Sequence, residues 1–258
     1  HLFDLRLTTH KHNHREVSSE LYGFNGPRID LIPHQFYVAD EVCSMPSPRV
    51  LLADEVGLGK TVEAGLILHK LLLSGSVKRV LIILPDALVN QWFVEMYRKF
   101  NLWFSIIDKE RFDAVRENPD ADNPFLTDPL VLCSSSFAVS SNLVSDSLKQ
   151  ADWDLLIVDE AHHLEWHDGL GSPEYNLVEA LSKLIDRMIL LTATPDQLGE
   201  DAHFARLRLL DSDRFYDFEM FKEEQLAYRE NASSIDEFVK AKDLSKKQIT
   251  KLAKLLGG

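Results

Sequence analysis

The hydrophobic residues of this chain fall in short continuous runs that alternate with segments of helical periodicity. Such runs predict strands that are buried on both faces, as in a parallel sheet covered by helices on each side. We predict six strands, at Val50–Ala53, Val80–Leu84, Phe104–Ile107, Leu130–Cys133, Leu155–Asp159 and Met188–Thr192. The alternation therefore predicts an α/β fold built on a parallel sheet.

Four segments between these strands have apolar residues spaced as on one face of a helix. They are Thr61–Leu73, Leu88–Phe100, Asn142–Gln150 and Tyr175–Asp186. Asp86 is predicted to cap the second helix, and Ser172 or Pro173 to open the last one. Two Asn-Pro pairs within Arg111–Asp128 predict a loop there.

The two ends of the chain differ from its middle. Residues 1–27 are polar and rich in histidine, and we interpret them as an arm from a preceding domain. Residues 28–211 contain the alternating strands and helices, and residues 212–258 form a charged extension with an amphipathic helix predicted at Leu244–Leu256. Because the first residue is His1 rather than Met, we expect this chain to be a piece of a longer protein.

Composition narrows the class of protein. The chain has 258 residues, of which 45% are hydrophobic, enough for a large core. No run approaches the roughly 20 apolar residues of a membrane span, so we expect no membrane partner. Cys43 and Cys133 are too few for a disulfide framework, which favours a cytoplasmic location.

The formal net charge is −13, and most of the acidity lies in residues 51–195. This makes a basic DNA-reading surface an unlikely feature of the chain. Backbone amides, hydroxyls and helix N-termini can still bind phosphates without basic side chains, so nucleic acid stays open as a partner.

The loop Asp54-Glu55-Val56-Gly57-Leu58-Gly59-Lys60-Thr61 lies between a predicted strand and a predicted helix. Its glycines let successive N–H groups converge on one anion. Lys60 is then predicted to reach the β and γ phosphates of a nucleotide, and the Thr61 hydroxyl to bind Mg²⁺. The standard motif has glycine where Asp54 stands, so a tight turn with a solvated lysine is the alternative.

Two acids, Asp159 and Glu160, follow a predicted buried strand, at the edge where open α/β sheets bind their ligands. Asp159 is predicted to hold Mg²⁺, in part through water. Glu160 is predicted to orient and deprotonate an attacking water. The alternative is a pair of solvated acids at a helix start, which the Lys-Thr loop upstream disfavours.

Weaker signals lie elsewhere. The hydroxyls in Thr192-Ala193-Thr194-Pro195 could link a nucleotide site to a phosphate-backbone site, although a strand ended by proline is the alternative. Gln35 has an amide that can pair with adenine. Ser134, like Gln91-Trp92, could contact a nucleic-acid backbone, or serve as a cap or core residue. The histidines at 10, 12, 14, 162, 163 and 167 lack paired cysteines, so zinc is disfavoured.

Taken in order, four motifs resemble the first half of a superfamily-two helicase core: Pro33-His34-Gln35, the loop at 54–61, Asp159-Glu160-Ala161-His162 and Thr192-Ala193-Thr194-Pro195. Asp54 at the usual glycine position is similar to the Swi/Snf branch. Three stretches, Ile29–Gln35, Val50–Thr61 and His203–Asp211, resemble the bacterial RNA polymerase-associated members of that branch. The similarity spans roughly residues 28–221.

The resemblance implies a RecA-like lobe of the P-loop NTPase kind, followed by a helical extension. It implies a motor that uses ATP and Mg²⁺ to move along duplex DNA, with RNA polymerase as a partner and a bacterial nucleoid location. By the same resemblance, Gln35 contacts adenine, and His162, Thr192, Thr194 and Ser134 serve coupling or DNA contact. A second RecA-like lobe would supply arginine fingers, so we expect this chain alone to bind ATP weakly and turn over little.

Two alternative functions share these motifs. One is the motor lobe of a strand-separating helicase or of a restriction enzyme. The other is a non-catalytic module whose ATP site only shapes a protein-binding surface.

Overall fold

The computed structural model of the protein describes residues 2–17, 24, 26–30, 32–53, 59–118, 123–167, 169–193, 199–226 and 228. The chain divides into two compact units, His1–Asp211 and Ser212–Gly258. The loop residues Asp54–Leu58, Thr194 and the helix predicted at Leu244–Leu256 lie outside the described residues.

A parallel sheet forms the centre of the first unit. In the described part of the chain its six strands are ordered β1-β8-β5-β2-β4-β3. They are β1 (Arg49–Leu52), β2 (Val80–Leu84), β3 (Ser105–Ile106), β4 (Leu130–Ser134), β5 (Leu155–Val158) and β8 (Arg187–Leu191). A separate antiparallel pair joins β6 (Trp166–His167) to β7 (Leu170–Gly171). All six predicted strands are present, which confirms the α/β parallel sheet.

Both faces of the sheet are covered. Every residue of β2 and of β5 is buried, although successive side chains of a strand point to opposite faces. This explains why these strands are continuous apolar runs rather than alternating ones. The ladder continues past the strand ends, because the Asp159 N–H donates to the Ile83 carbonyl at 2.9 Å and the Thr192 N–H donates to the Leu52 carbonyl at 3.0 Å.

The helices connect these strands. They are α1 (Leu2–Val17), α2 (Pro33–Ser44), α3 (Lys60–Leu73), α4 (Val89–Phe100), α5 (Lys109–Arg116), α6 (Ser135–Ala138), α7 (Asn142–Lys149), α8 (Pro173–Ser182) and α9 (Gly199–Leu210). The four predicted helices correspond to α3, α4, α7 and α8. The prediction that Ser172 opens the last of these is confirmed, since its Oγ accepts the Tyr175 N–H at 3.1 Å.

Two predictions were wrong for local reasons. The segment Arg111–Asp128 is not a loop throughout, because α5 begins at Lys109 and a 3-10 turn covers Pro124–Leu126. Asp108 caps α5 by accepting the Arg111 N–H at 2.9 Å, and this cap outweighs the Asn-Pro signals further on. Asp86 does not cap α4 either. It opens a 3-10 turn and accepts a hydrogen bond from Ser136 Oγ at 2.7 Å.

The core on one face of the sheet is built around α3 and α4. Leu66, Ile67 and Leu68 of α3 have no exposed surface, and α4 buries Trp92, Met96 and Phe100 at intervals of four residues. The two helices approach closely at Gly65, where an added Cβ would overlap the Phe100 ring. This packing fixes the start of α3 and the buried face of α4 beside the sheet edge.

The described part of the second unit is short. Residues 218–226 are helical, and Asp217 accepts the Met220 N–H at 3.0 Å at the start of that helix. None of the helices in the described part of the chain is long and apolar enough to cross a membrane.

Candidate nucleotide site

The start of α3 places Lys60 and Thr61 at the carboxyl edge of the sheet. Gly59 precedes the helix with a left-handed backbone, φ +86°, which favours glycine. Its carbonyl accepts the N–H groups of Val62 at 2.7 Å and Glu63 at 3.1 Å, which starts the helix. A helix N-terminus at this edge attracts an anion through its dipole and its N–H groups.

Asp159 and Glu160 lie at the same edge, directly after β5. They line one cleft of about 300 Å³ together with Gly59, Lys60 and Thr61. Lys60 and Asp159 also interact electrostatically across the cleft. The structure therefore brings the two sequence motifs together, although about a hundred residues separate them along the chain. Trp92 of α4 and Ala193 after β8 complete this side of the cleft.

Two donors hold the Asp159 carboxylate. Trp92 Nε1 donates to Oδ2 at 2.7 Å, and the Glu160 backbone N–H donates to Oδ1 at 2.8 Å. Burial raises the pKa of Asp159 above its ordinary value, while these two hydrogen bonds and Lys60 act in the opposite direction. The two hydrogen bonds thus orient the carboxylate before any ligand binds, while its burial disfavours the negative charge.

Glu160 has an uncommon backbone conformation for a residue with a side chain. Its φ and ψ are 50° and 47°, in the left-handed region, which costs on the order of 1–3 kcal/mol. Its Oε2 lies 2.9 Å from His162 Nδ1. Burial lowers the pKa of His162, as do the neighbouring His163 and Arg206, so the imidazole favours its neutral form. The two atoms are close but are not aligned as a hydrogen bond, so His162 packs against the Glu160 carboxylate without donating to it.

Gln35 lies beside the start of α3. Its side chain is buried, and a Cβ added to Gly59 would overlap its amide nitrogen. Gln35 and Gly59 line a second cleft of about 460 Å³, with Arg28, Ile29, Asp30, Ile32, Val62 and Lys99. Gly59 lines both clefts, so the Gln35 amide lies next to the start of α3, where the phosphates of a nucleotide are predicted to bind.

Thr192 and Ser134, two other predicted site residues, do not line this cleft. Thr192 is fully buried at the end of β8, and only its neighbour Ala193 lines the cleft among the described residues after that strand. Ser134 caps α6, because its Oγ accepts the Phe137 N–H at 3.3 Å, and it lies 3.3 Å from Ser136 Oγ. Neither position tests a contact with DNA.

Two polar side chains, one in the site and one close to it, were not predicted from the sequence. Trp92 was given a core or backbone-contact role, yet its indole bonds Asp159. Glu63, one turn after Lys60, is a fully buried acid 3.9 Å from His34 Nε2. The acid Glu63 on the apolar helix α3 was a sequence signal for a buried polar group. The packing of α4 beside β5, in contrast, has no signal in the sequence.

The donor set of the cleft fits Mg²⁺. A threonine hydroxyl and a carboxylate are oxygen ligands of the kind that this ion takes. Within the described residues, no group of three or more His, Cys, Asp and Glu side chains is placed to hold a metal ion. An ion bound by Thr61 and Asp159 could take further oxygen ligands from water and from a phosphate group.

Fold and site together define a RecA-like nucleotide-binding lobe: a parallel sheet with a Gly-Lys-Thr helix start facing an acidic pair across one cleft. The model of the SNF2-related domain matches residues 37–257. The chain belongs to the family of SNF2-related domains.

Solved structures of this kind share the fold. The SWI2/SNF2 ATPase core of Sulfolobus solfataricus in complex with dsDNA matches with a TM-score of 0.62 and 19% identity, over 76% of this chain and 39% of that chain. The same core domain in a second structure gives 0.61 and 18%, over 89% and 42%. The Hef helicase domain of Pyrococcus furiosus gives 0.53 and 19%, over 69% and 35%. The chain spans about two fifths of the length of the Sulfolobus cores.

Proposed function

We propose that this chain is the ATP-binding lobe of a DNA-dependent ATPase and translocase of the Swi/Snf type. One observation carries the proposal: the start of α3 and the acids after β5 line the same cleft. A phosphate-binding helix start and an oriented carboxylate pair are the two parts that nucleotide hydrolysis requires at one place.

Each residue of the cleft has a task in binding and hydrolysing ATP. Gly59 and the start of α3 bind the phosphates, Lys60 neutralises the β and γ groups, and Gln35 pairs with adenine. Thr61 and Asp159 would hold Mg²⁺, which supplies further positive charge at the phosphates when bound. These residues keep the phosphate chain extended towards Glu160. Residues 54–58 belong to the same phosphate loop in this proposal.

Glu160 acts on the attacking water. Its carboxylate accepts one proton of the water as the oxygen approaches the γ phosphorus, and ADP is the leaving group. His162 packs against Glu160, with Nδ1 2.9 Å from Oε2, and so limits the positions that this carboxylate can take. The left-handed backbone at Glu160 supports this role, since strain of this kind is concentrated at functional sites.

Duplex DNA is the proposed partner of the motor. The family membership supports this, and one Sulfolobus core of the same fold is in complex with dsDNA. In the proposal His162, Thr192 and Thr194 couple hydrolysis to DNA, and Ser134 contacts the DNA backbone. A second RecA-like lobe supplies the arginine fingers that complete the site.

We further propose that the protein is RapA-like (RapA is also called HepA), associated with RNA polymerase and active in polymerase recycling in the bacterial nucleoid. The stretches Ile29–Gln35, Val50–Thr61 and His203–Asp211 support this finer assignment. The test is co-sedimentation of the intact protein with RNA polymerase, with and without a DNA template. An intact protein that never co-sediments with polymerase would remove the finer assignment and leave the motor.

The nucleotide site is tested with ATP binding to the chain by titration calorimetry in Mg²⁺. Lys60→Ala should weaken binding on the order of ten-fold or more, because a charge-assisted contact to phosphate is lost. Lys78→Ala is the control, since Lys78 is an exposed lysine that does not line the cleft. Equal affinity for both variants would mean that the phosphates bind elsewhere.

Strand separation is tested separately on the intact protein. A translocase should hydrolyse ATP with duplex DNA and displace no labelled strand. Displacement would assign the lobe to a strand-separating helicase instead.

A further inference from the structure

Asp159 is held by a residue from a different part of the chain. Trp92 lies in α4, and its indole N–H donates to Asp159 Oδ2 at 2.7 Å across 67 positions of sequence. The contact is at the cleft wall, since both residues line it. Trp92 is also 1% exposed, so the donor is fixed by packing and excluded from water.

The position of the indole is set by the core and not by a ligand. Trp92, Met96 and Phe100 form the buried face of α4 and pack in the same hydrophobic cluster as Ile82 and Ile157 of the sheet. A side chain with two rotatable bonds in such surroundings has one orientation. Its N–H therefore stays aimed at the end of β5 whether or not the cleft is filled.

Without the indole, one donor to the carboxylate would remain in the described contacts, the Glu160 N–H on Oδ1. Carboxylates that bind metals are themselves held by outer hydrogen bonds, and loss of such a bond typically costs 10–100-fold in metal affinity.

We propose that Trp92 is a positioning residue, which holds the Asp159 carboxylate in the orientation that receives Mg²⁺ together with ATP. The proposal rests on the proposed function of the cleft. It assigns to Trp92 a role in the Mg²⁺-dependent part of nucleotide binding and no contact with the nucleotide itself.

A purely structural role is the competing explanation, because a buried tryptophan usually finds an acceptor for its N–H. The chain offers a matched control for it. Trp153 is 6% exposed and its Nε1 donates to the Leu148 carbonyl at 2.9 Å, outside the cleft. Trp92→Phe and Trp153→Phe each remove one indole and one hydrogen bond from the core, but only the first touches Asp159.

The experiment is calorimetric titration of the chain with ATP, in Mg²⁺ and in EDTA. Trp92→Phe should reduce the gain in affinity that Mg²⁺ gives by about ten-fold, and should change the affinity in EDTA much less than that. Trp153→Phe should keep the full gain. A Trp92→Phe chain with an intact Mg²⁺ gain, or a Trp153→Phe chain with the same loss, would overturn the proposal.

Two further measurements test the same proposal, the first of them for the case that Trp92→Phe does not fold. If Trp92→Phe does not fold by circular dichroism, benzothienylalanine at position 92 keeps the fused rings and replaces the N–H by sulfur, with the same expected loss. In addition, the indole ¹⁵N–H signal of Trp92 should move in Asp159→Ala. An unmoved signal would refute the Trp92 role while ATP binding, and so the proposed function, stands. A wild-type chain that binds no ATP would refute both.

Discussion

At the scale of the single residue, Asp159 combines two opposed requirements. Its carboxylate accepts hydrogen bonds from Trp92 and from the Glu160 N–H, yet burial raises its pKa. In the free chain the negative charge is therefore held at a cost in folding free energy. A bound cation would remove that cost, which is the expected condition of a preformed metal ligand.

We predict that Asp159→Asn stabilises the free chain at neutral pH. The asparagine carbonyl still accepts the Trp92 N–H, while the buried charge is gone. Because the folded-state pKa of Asp159 is raised, the cost of its charge begins above the ordinary value of 3.8 and is complete only above the folded pKa. The gain in melting temperature should be a few degrees at pH 7, and should shrink as the pH falls through the folded pKa towards the ordinary value of 3.8.

The measurement is thermal unfolding followed by circular dichroism, without nucleotide or Mg²⁺. Asp154→Asn is the contrasting variant, since the Asp154 carboxylate accepts the N–H groups of Lys78 at 2.7 Å and Arg79 at 2.8 Å. That variant should melt earlier, because both N–H groups donate to the same oxygen, Oδ2, and a neutral amide oxygen is a weaker acceptor than a charged carboxylate. A lower melting temperature for Asp159→Asn at pH 7 would refute the argument from burial.

At the scale of the element, Arg49 ties three segments together. Its Nε donates to the Leu210 carbonyl, Nη2 to the Leu209 carbonyl and Nη1 to the Ile185 carbonyl, each at 2.7 Å. The guanidinium of the first residue of β1 thus binds both the C-terminal end of α9 and the turn before β8. A cation at a helix C-terminus is also favoured by the helix dipole.

We predict that Arg49→Met lowers the free energy of unfolding by about 2–4 kcal/mol, because buried carbonyls lose charged donors. Arg49→Lys should recover part of the loss, since lysine keeps the charge without the planar fork. The measurement is urea unfolding. Arg187→Met is the control, as Arg187 makes a 3.3 Å contact with the Pro46 carbonyl at the surface. Equal losses for Arg49→Met and Arg187→Met would exclude the clamp.

Gly65 gives a second prediction for the packing of α3 on α4. Alanine in a helix interior is favoured over glycine by about 1 kcal/mol, but a Cβ at this position would overlap the Phe100 ring. Overpacking in a core costs about 1–3 kcal/mol, so the clash should win. Gly65→Ala should lower the free energy of unfolding, and Phe100→Leu in the same chain should restore part of it. A Gly65→Ala chain that is more stable than the wild type would show that α3 and α4 can move apart without a cost in free energy.

The elements show what a sequence pattern can and cannot predict. Continuous apolar runs gave all six strands, because burial on both faces leaves no polar positions in β2 or β5. Helix α5 was missed, since its cap at Asp108 acts locally and the Asn-Pro pairs further on suggested a loop. The order of the strands in the sheet could not be predicted from the hydrophobic pattern either. Nothing in the sequence places β2 and α4 next to β5, so the hydrogen bond from Trp92 to Asp159 had no sequence signal.

At the scale of the whole molecule, the described site residues all lie in the first unit, His1–Asp211. The second unit, Ser212–Gly258, covers the segment that was predicted as a charged helical extension, and that prediction stays a prediction. We therefore expect nucleotide binding to be a property of the first unit, and we propose that hydrolysis depends on groups beyond it. In the resemblance to the Swi/Snf branch, those groups are arginines of a second RecA-like lobe.

The last prediction follows from that division of tasks. Mg²⁺ with ATP should raise the melting temperature of this chain, because a ligand that binds only the folded state stabilises it by an amount that grows with the logarithm of its concentration relative to Kd. Hydrolysis should nevertheless stay slow with or without duplex DNA, since an arginine finger supplies on the order of 10³–10⁵ in rate. The measurements are thermal unfolding with increasing ATP and phosphate release with increasing DNA, with Lys60→Ala as the control for both. Brisk release from the wild-type chain that DNA accelerates would mean that the first unit already contains every catalytic group.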